Sequence, residues 1–427
     1  MRKSITANHH PVYSLPTGQT AGEKLRELCL EGLRERYQGN AEMLPGGQPS
    51  QLVQERLDRE LSVINKLGAA NYFLIVWDFI NHARETGIPA SAVGSASGAL
   101  VCHALYISHV CPLKHGLLFE RFLTEAWKYP VDLLINVCKE RFQELVLYLR
   151  EKYGEDCVAQ TKGCGFVISD RPLANYLAVT SSPELNQWTS SDVEDAGVLH
   201  LGCLGVRDLT VLSKAVNFIE QAADERFDLQ ELPLDDEETF QLIRRGDTKG
   251  VFHLSSEGIR DLLRQIKPEH FYDIVAVLAV YRPGPIEAGI VEMYVDAKRG
   301  QKRGYKIDVV NEILSETYGV MVYQEQVMRI LNRVGRIGLA DAYKAIKEIS
   351  IRQEKESVAA FYERYMEGAA SQGFCEADAN DLWKAIMKYT GLGFCKSHAV
   401  GQALIAYQTA FLKAHYPDEF KLAYRVT

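Results

Sequence analysis

A first half that mixes short strand candidates with helices, followed by a second half of nearly unbroken helical periodicity, predicts an α+β, mostly helical fold. The length of 427 residues suits two or three domains better than one core. The change of pattern places the domain junction near residue 206. No internal repeat or low-complexity tract suggests a solenoid.

The elements follow in order. Thr20 opens a helix that carries Leu25, Leu28, Cys29 and Leu33 at helical spacing. The string GNAEMLPGGQPS (39–50) is a loop punctuated by Gly and Pro. Ser50 then caps a second helix with Leu57, Leu61 and Ile64 on one face, ending at Gly68. Residues 71–85 form a strongly apolar helix that stops at Gly87, with Pro89 beyond it. GSASGALVCHALYI (94–107) reads as a small-residue turn and then a helix. Strand candidates cover 130–137, 156–160, 164–169 and 197–204; a helix over 139–153 closes at Gly154, and another starts near Asp208. From Pro233 onward the pattern is helical, with turns expected at Pro283-Gly284-Pro285, Gly300, Gly373 and Gly391.

Hydrophobic residues make up 47% and charged residues 24%, the ordinary globular range. No apolar run is long enough to span a bilayer, and the basic start MRK has no apolar stretch after it, so a membrane span and a secretory leader are not expected and the chain reads as cytoplasmic. Nine cysteines are scattered without a C-x-x-C, which argues against a disulfide framework or a structural zinc. The net charge of −8 gives the whole chain no attraction for a polyanion. A DNA contact therefore needs a local basic patch, and AKRGQKRGYK offers Lys298, Arg299, Lys302 and Arg303, with Lys306 beyond; a solvated loop explains the same run.

Several strings carry a resemblance. YFLIVWDFINHARETGIP (72–89), PLKHGLLFERFL (112–123) and LREKYGEDCVAQ (149–160) are joined by GDTKGVFHL, YRPGPI, TYGVMVYQEQVM and GFCKSHAVGQALIAYQTAFLKAHYP. In this order and spacing they resemble the bacterial replicative DNA polymerases of family C, the polymerase III alpha subunits, from about residue 20 to 420. The resemblance implies a polymerase-beta-like nucleotidyltransferase palm and a large helical fingers domain. It implies a tail over 1–19, palm segments over 20–160 and 161–205, and fingers over 206–427. VAQ runs almost directly into TKGCGFVIS, so the thumb that the family carries at this junction is expected to be missing.

Nucleotidyl transfer in such a palm uses two divalent cations held by carboxylates on adjacent strands. Two carboxylates two residues apart point to one face. Aligning PVDLLINV on the flanking strings sets Asp132 at the family's first, non-ligand aspartate, and Leu134 and Asn136 at the metal-binding positions. In GVLHLGCLGVRDLT the third aspartate position is Gly202, and His200 stands where the family has a lysine. Leu and Gly offer no oxygen ligand and Asn only a neutral one, so no catalytic residue is intact and no metal is expected. Asp132 shares strand parity with the lost site and is the weak candidate for a remaining ligand. Mg2+ enters only if the site is active after all.

The resemblance also marks phosphate contacts. In ASAVGSASG, Gly94 and Ser95 remain before a helix, while Val93 takes the place of the family's arginine; a plain N-cap is the other reading. Arg282, Lys396 and His398 stand where the family has basic residues near the incoming nucleotide, or else form ion pairs within the fingers. Gln324, Glu325 and Gln326 match a family string of partly structural role.

Three functions follow as expectations. The first is a catalytically inactive relative that binds DNA, nucleotide or a polymerase partner in the replisome. The second is an active DNA-directed DNA polymerase. The third is a structural protein without nucleic-acid binding.

Overall fold

The computed structural model describes residues 9–127, 131–161, 165–178, 188–301, 304–352 and 355–427. Its first helix, α1 (Ala21–Arg36), opens at Thr20 through a reciprocal capping box with Glu23, two orphan N–H groups being satisfied at once. The helix turns Leu25, Leu28, Cys29 and Leu33 inward, as their spacing predicts. Helices α2 (Gln51–Lys66) and α3 (Ala70–Glu85) follow. Ser50 stands at the N-cap of α2 but makes no side-chain capping bond.

The chain clusters into two units. The first comprises Met1–Lys114, Glu125–Phe227 and Leu422–Thr427, and the second His115–Thr124 and Asp228–Lys421. In the first unit α3 leads into β1 (Ala90–Val93), a 3-10 turn over Gly94–Gly98, and a short α4 (Leu100–Ala104). The rest of the unit is β2 (Leu134–Cys138), α5 (Phe142–Tyr153), β3 (Val158–Gln160), β4 (Phe166–Ile168), α6 (Ser190–Ala196), β5 (Leu199–Val206) and α7 (Arg207–Ala223). Residues 130 and 164, where two strand candidates began, lie outside the described residues. Gly154 closes α5 at φ 105, a conformation that costs a glycine little.

The strands form one mixed sheet in the order β1-β2-β5-β4-β3. Strand β2 pairs antiparallel with β1 and parallel with β5, and β4 pairs antiparallel with both β5 and β3. Strand β1 has no signature of its own: ASAV is small and lacks a β-branched run, and pairing with β2 makes it a strand. Leu133, Ile135 and Val137 alternate onto a covered face and are at most 1% exposed. Tyr72 on α3 takes the Leu133 N–H at 2.8 Å, and the rings of Phe79 and Phe142 pack on Phe166 of β4. Among the described residues, Leu173, Leu177, Val193 and Val198 cover the opposite face at its β3–β4 end, over Ala159 and Val167.

The second unit holds α8 (Glu237–Arg244), α9 (Glu257–Ile266), α10 (Phe271–Val280), α11 (Pro283–Glu287), α12 (Ile290–Lys298), α13 (Asp308–Ile313), α14 (Gln324–Gly335), α15 (Leu339–Lys347), α16 (Lys355–Ser371), α17 (Glu376–Tyr389) and α18 (Lys396–His415). Pro283-Gly284-Pro285 begins a helix and not the expected turn. Pro283 stands at N1, where its fixed φ suits a helix start and no N–H is missed. The apolar α10 is buried at every residue but the half-buried Tyr272 and packs on α18, and α8 packs on α18 as well. Among the described residues no single helix is long and apolar enough to cross a membrane; α2 with α3 passes by composition but is bent by 114°, and α3 is core. Of the nine cysteines, Cys29, Cys102, Cys138, Cys203 and Cys395 are buried thiols and Cys164 lies outside the described residues.

The mostly helical fold with one small mixed sheet agrees with the α+β expectation. Close helix crossings depend on glycine: a Cβ on Gly32 of α1 would lie 1.9 Å from the Ala104 carbonyl oxygen. Gly32→Ala is therefore expected to destabilise the chain by about 1–3 kcal/mol. A urea midpoint equal to that of the natural chain would contradict this packing.

Candidate active-site face and anion contacts

The open half of the sheet face is built by parity. Leu134 and Asn136 alternate along β2, with Asp132 at the same parity just ahead of the strand, and His200, Gly202 and Leu204 alternate along β5. The parallel register sets Leu134 beside Gly202 and Asn136 beside Leu204. Across β1, Val93 opposes Leu134 and Ser91 opposes Asn136. The three positions expected to carry metal ligands thus stand on one face: their spacing puts Leu134 and Asn136 together, and the β2–β5 register adds Gly202. Leu134 is 36% and Leu204 41% exposed, an apolar pair open to solvent, while Asn136 is buried.

Asp132 extends the same register toward His200. Its Oδ2 lies 3.0 Å from His200 Nδ1, and its Oδ1 accepts the Gly202 N–H at 3.3 Å. The carboxylate therefore has partners on both oxygens, one of them a main-chain N–H that a bound cation would repel. Among the described residues no group of three or more His, Cys, Asp or Glu side chains is placed to hold a metal. A pair of divalent cations, each wanting about six oxygen ligands, does not fit this donor set. Restoring the third position also meets a steric bar, because a Cβ on Gly202 would lie 2.6 Å from the Leu133 carbonyl oxygen.

Gly94 and Ser95 open the 3-10 turn and not a long helix. The helix that follows, α4, has its first N–H groups already taken. Glu60 of α2, fully buried, accepts from Leu100 N and Val101 N at 2.9 Å each. Arg56 joins the carboxylate through Nε at 2.5 Å and donates to the Gly98 carbonyl at 2.7 Å. Burial pushes the Glu60 carboxyl above its ordinary value, against Arg56 and the two N–H groups.

In the second unit Arg282 and His398 come together around one ring. The Arg282 guanidinium sits 4.2 Å from the Phe394 centroid, and the Phe394 and His398 rings are 5.2 Å apart. Arg282 also donates to the carbonyls of Ala279 and Leu392. Burial lowers the His398 value, and His253, Arg121 and Arg282 lower it further, so the ring is neutral at neutral pH. Lys396 points elsewhere: its ammonium is nearly buried and pairs with Glu316 at 2.7 Å. It lines a cavity of about 350 Å³ with Glu312, Glu316, Arg329 and Arg333.

The basic run is divided. Lys298 ends α12 with its side chain 8% exposed, its Nζ 2.7 Å from Asp273 Oδ2 and 3.6 Å from Glu269. Arg299 is exposed and donates to the Gln265 carbonyl at 3.2 Å. Lys302 and Arg303 lie outside the described residues. Burial alone would raise the Asp273 carboxyl. The Glu269 N–H and the Lys298 ammonium outweigh it and hold the group below its usual value near 3.8.

Two family descriptions match the chain. "Bacterial DNA polymerase III alpha NTPase domain" matches residues 23–163, and "Bacterial DNA polymerase III alpha subunit finger domain" matches residues 208–373. The chain belongs to the bacterial DNA polymerase III alpha subunit family. DNA polymerase III subunit alpha of Halalkalibacterium halodurans is 33% identical over 97% of this chain and 44% of its own length. The Bacillus subtilis and Aquifex aeolicus subunits are 32% and 31% identical, over 98% and 96% of the chain and 44% of each relative. The chain thus spans under half the length of these alpha subunits.

The family string YQEQVM has a structural meaning that sequence reading left general. Gln324 accepts from Arg121 Nε at 2.8 Å and donates to the Gly393 carbonyl at 3.1 Å. Gln326 accepts from Val322 N and Tyr323 N and donates to Thr317 Oγ1. Glu325 accepts from Lys396 N on both oxygens, at 2.9 and 2.8 Å. Glu60, by contrast, was not singled out at all. An isolated Glu in RLDREL looks like any solvated helix position, and no signal in the sequence marks it as buried.

Two outcomes follow. Gly202→Asp is expected to destabilise the chain by about 1–3 kcal/mol, whereas Leu134→Asp, on an exposed position, costs less than about 1 kcal/mol; equal costs in chemical denaturation would contradict the close β2–β5 approach. Because the folded Asp273 carboxyl lies below its unfolded value, its contribution is present above about pH 4 and is lost as pH falls through the folded value. Asp273→Asn should therefore lose stability at neutral pH and show a flatter acid limb when urea midpoints are followed from about pH 7 to pH 3.

Proposed function

We propose that the chain is a catalytically inactive relative of the DNA polymerase III alpha subunit that acts by binding DNA, a nucleotide or a polymerase partner. The observation that carries this reading is the donor set on the open sheet face: Leu134, Asn136 and Gly202 side by side, with Asp132 already engaged. Nucleotidyl transfer needs the metals for the chemistry itself, so a site without their ligands loses the step and not merely its efficiency.

On this reading the first unit holds most of the palm, segments 20–160 and 161–205, and the second most of the fingers, 206–427. Two observations support a missing thumb at the junction. The alignment to the Halalkalibacterium halodurans subunit runs over 498 positions, more than the 427 residues of the chain, so the relative carries residues that this chain lacks inside the aligned stretch. Strands β3 and β4 are joined over residues 161–165, with Thr161 N donating to the Gly165 carbonyl at 3.1 Å. The five residues between the two strands are too few for a domain, which supports this reading. A palm without a thumb has less surface with which to grip duplex, which argues against processive synthesis.

A second reading, an active polymerase, draws on the half-exposed Asp132 carboxylate beside His200 on the same face. Primer extension from a recessed 3′ end, first with magnesium and then with manganese, separates the two. The natural chain is expected to add no nucleotide above a contaminant control. Extension that disappears in Asp132→Asn would overturn inactivity and make Asp132 a ligand. In the same preparation, DNA affinity that falls steeply with salt would support nucleic-acid binding over a purely structural role.

A further inference from the structure

The start of α18 is filled from inside the second unit. Glu325 is 1% exposed, and its carboxylate accepts the Lys396 N–H on both oxygens and the Ser397 N–H at 3.4 Å. Cys395 Sγ lies 3.7 Å from Oε1 and 3.0 Å from Ser397 Oγ. These are the donors that a helix leaves open at its first turn, at the positive end of its dipole. On a helix of 20 residues they make a place where a ligand phosphate could settle. Here a side chain from α14 has taken it. A carboxylate this deep is tolerable only when several hydrogen bonds replace its water, and the α18 donors supply them. Its neighbours tie the same loop: Gln324 holds the Gly393 carbonyl, and Gln324 N donates to the Phe394 carbonyl at 2.9 Å.

We propose that Glu325 is a positioning residue, a resident carboxylate that occupies the α18 N-terminus in place of any ligand phosphate and sets Phe394 and His398 beside Arg282. Phosphate contacts in this unit then come from the side chains of Arg282 and His398 and not from main-chain N–H groups. Only that last step rests on the nucleotide-binding reading; occupation of the helix start does not.

The test uses the full chain, hydrogen exchange of the Lys396 and Ser397 amides, and two probes, acetate and inorganic tripolyphosphate. Glu325→Ala removes the CH2–carboxylate unit that acetate can replace. Exchange at both amides should rise about tenfold or more, the scale of a lost bond to a charged group, and added acetate should restore much of the protection while leaving the natural chain unchanged. Should the alanine variant not fold, Glu325→Gln serves, with faster exchange at Lys396 than at Leu412 as the expected result. The proposal is overturned if acetate gives no protection to the alanine variant, if the glutamine variant exchanges as the natural chain does, or if tripolyphosphate slows the two amides in the natural chain. If tripolyphosphate does not bind the natural chain at all, the nucleotide-binding reading fails, and the exchange and acetate results still decide the role of Glu325.

Discussion

Strand β2 lies parallel to β5 with Leu134 beside Gly202, and the two backbones come so close that a Cβ at 202 would stand 2.6 Å from the Leu133 carbonyl. The rest of the first unit is organised around that pairing. It puts Leu133, Ile135 and Val137 on the covered face, where α3 reaches Leu133 through Tyr72. It leaves Leu134, Asn136 and Leu204 on the other face, and it brings the Gly202 N–H to Asp132. The same glycine that permits the pairing offers no carboxylate at the position where the family resemblance leads one to expect the third ligand. Loss of charge and closeness of strands are therefore one structural fact. A side chain cannot be returned to position 202 without moving β2.

Two buried glutamates do comparable work at helix starts. Glu60 fills the first turn of α4 and Glu325 that of α18, each from a neighbouring helix. A carboxylate without water is costly unless its lone pairs are met, and the orphan N–H groups of a helix meet them while losing their own need for solvent. Both starts lie where sequence motifs suggest phosphate contacts. The arrangement directs attention from main-chain cradles to side chains, and among these Arg282 and His398 share the Phe394 ring while Lys396 is turned to Glu316.

Much of this was legible beforehand. Thr20 with Glu23, and Gly154 after α5, are local signals whose chemistry acts within one turn, and they mark their elements correctly. Parity alone puts Asp132, Leu134 and Asn136 on one face. The register of Leu134 against Gly202 was not readable, since the partners stand far apart in sequence and nothing local fixes a parallel pairing. Strand β1 was missed because ASAV owes its extension to β2. Lys298 looked like part of a solvated basic run, yet it closes α12 with its stem packed and its ammonium on Asp273, a contact that only the tertiary fold supplies. Glu60 and Glu325 resemble exposed helix glutamates until the neighbouring helix is in place.

The open face of β2 and β5 is expected to hold no pair of divalent cations. Manganese-induced relaxation of main-chain amides, followed residue by residue in the natural chain, tests it most directly. Weak broadening spread over surface carboxylates, with no saturable focus on this face, is the expected result. Saturable broadening centred on Asp132, Leu134 and Gly202 would show instead that a cation binds among them.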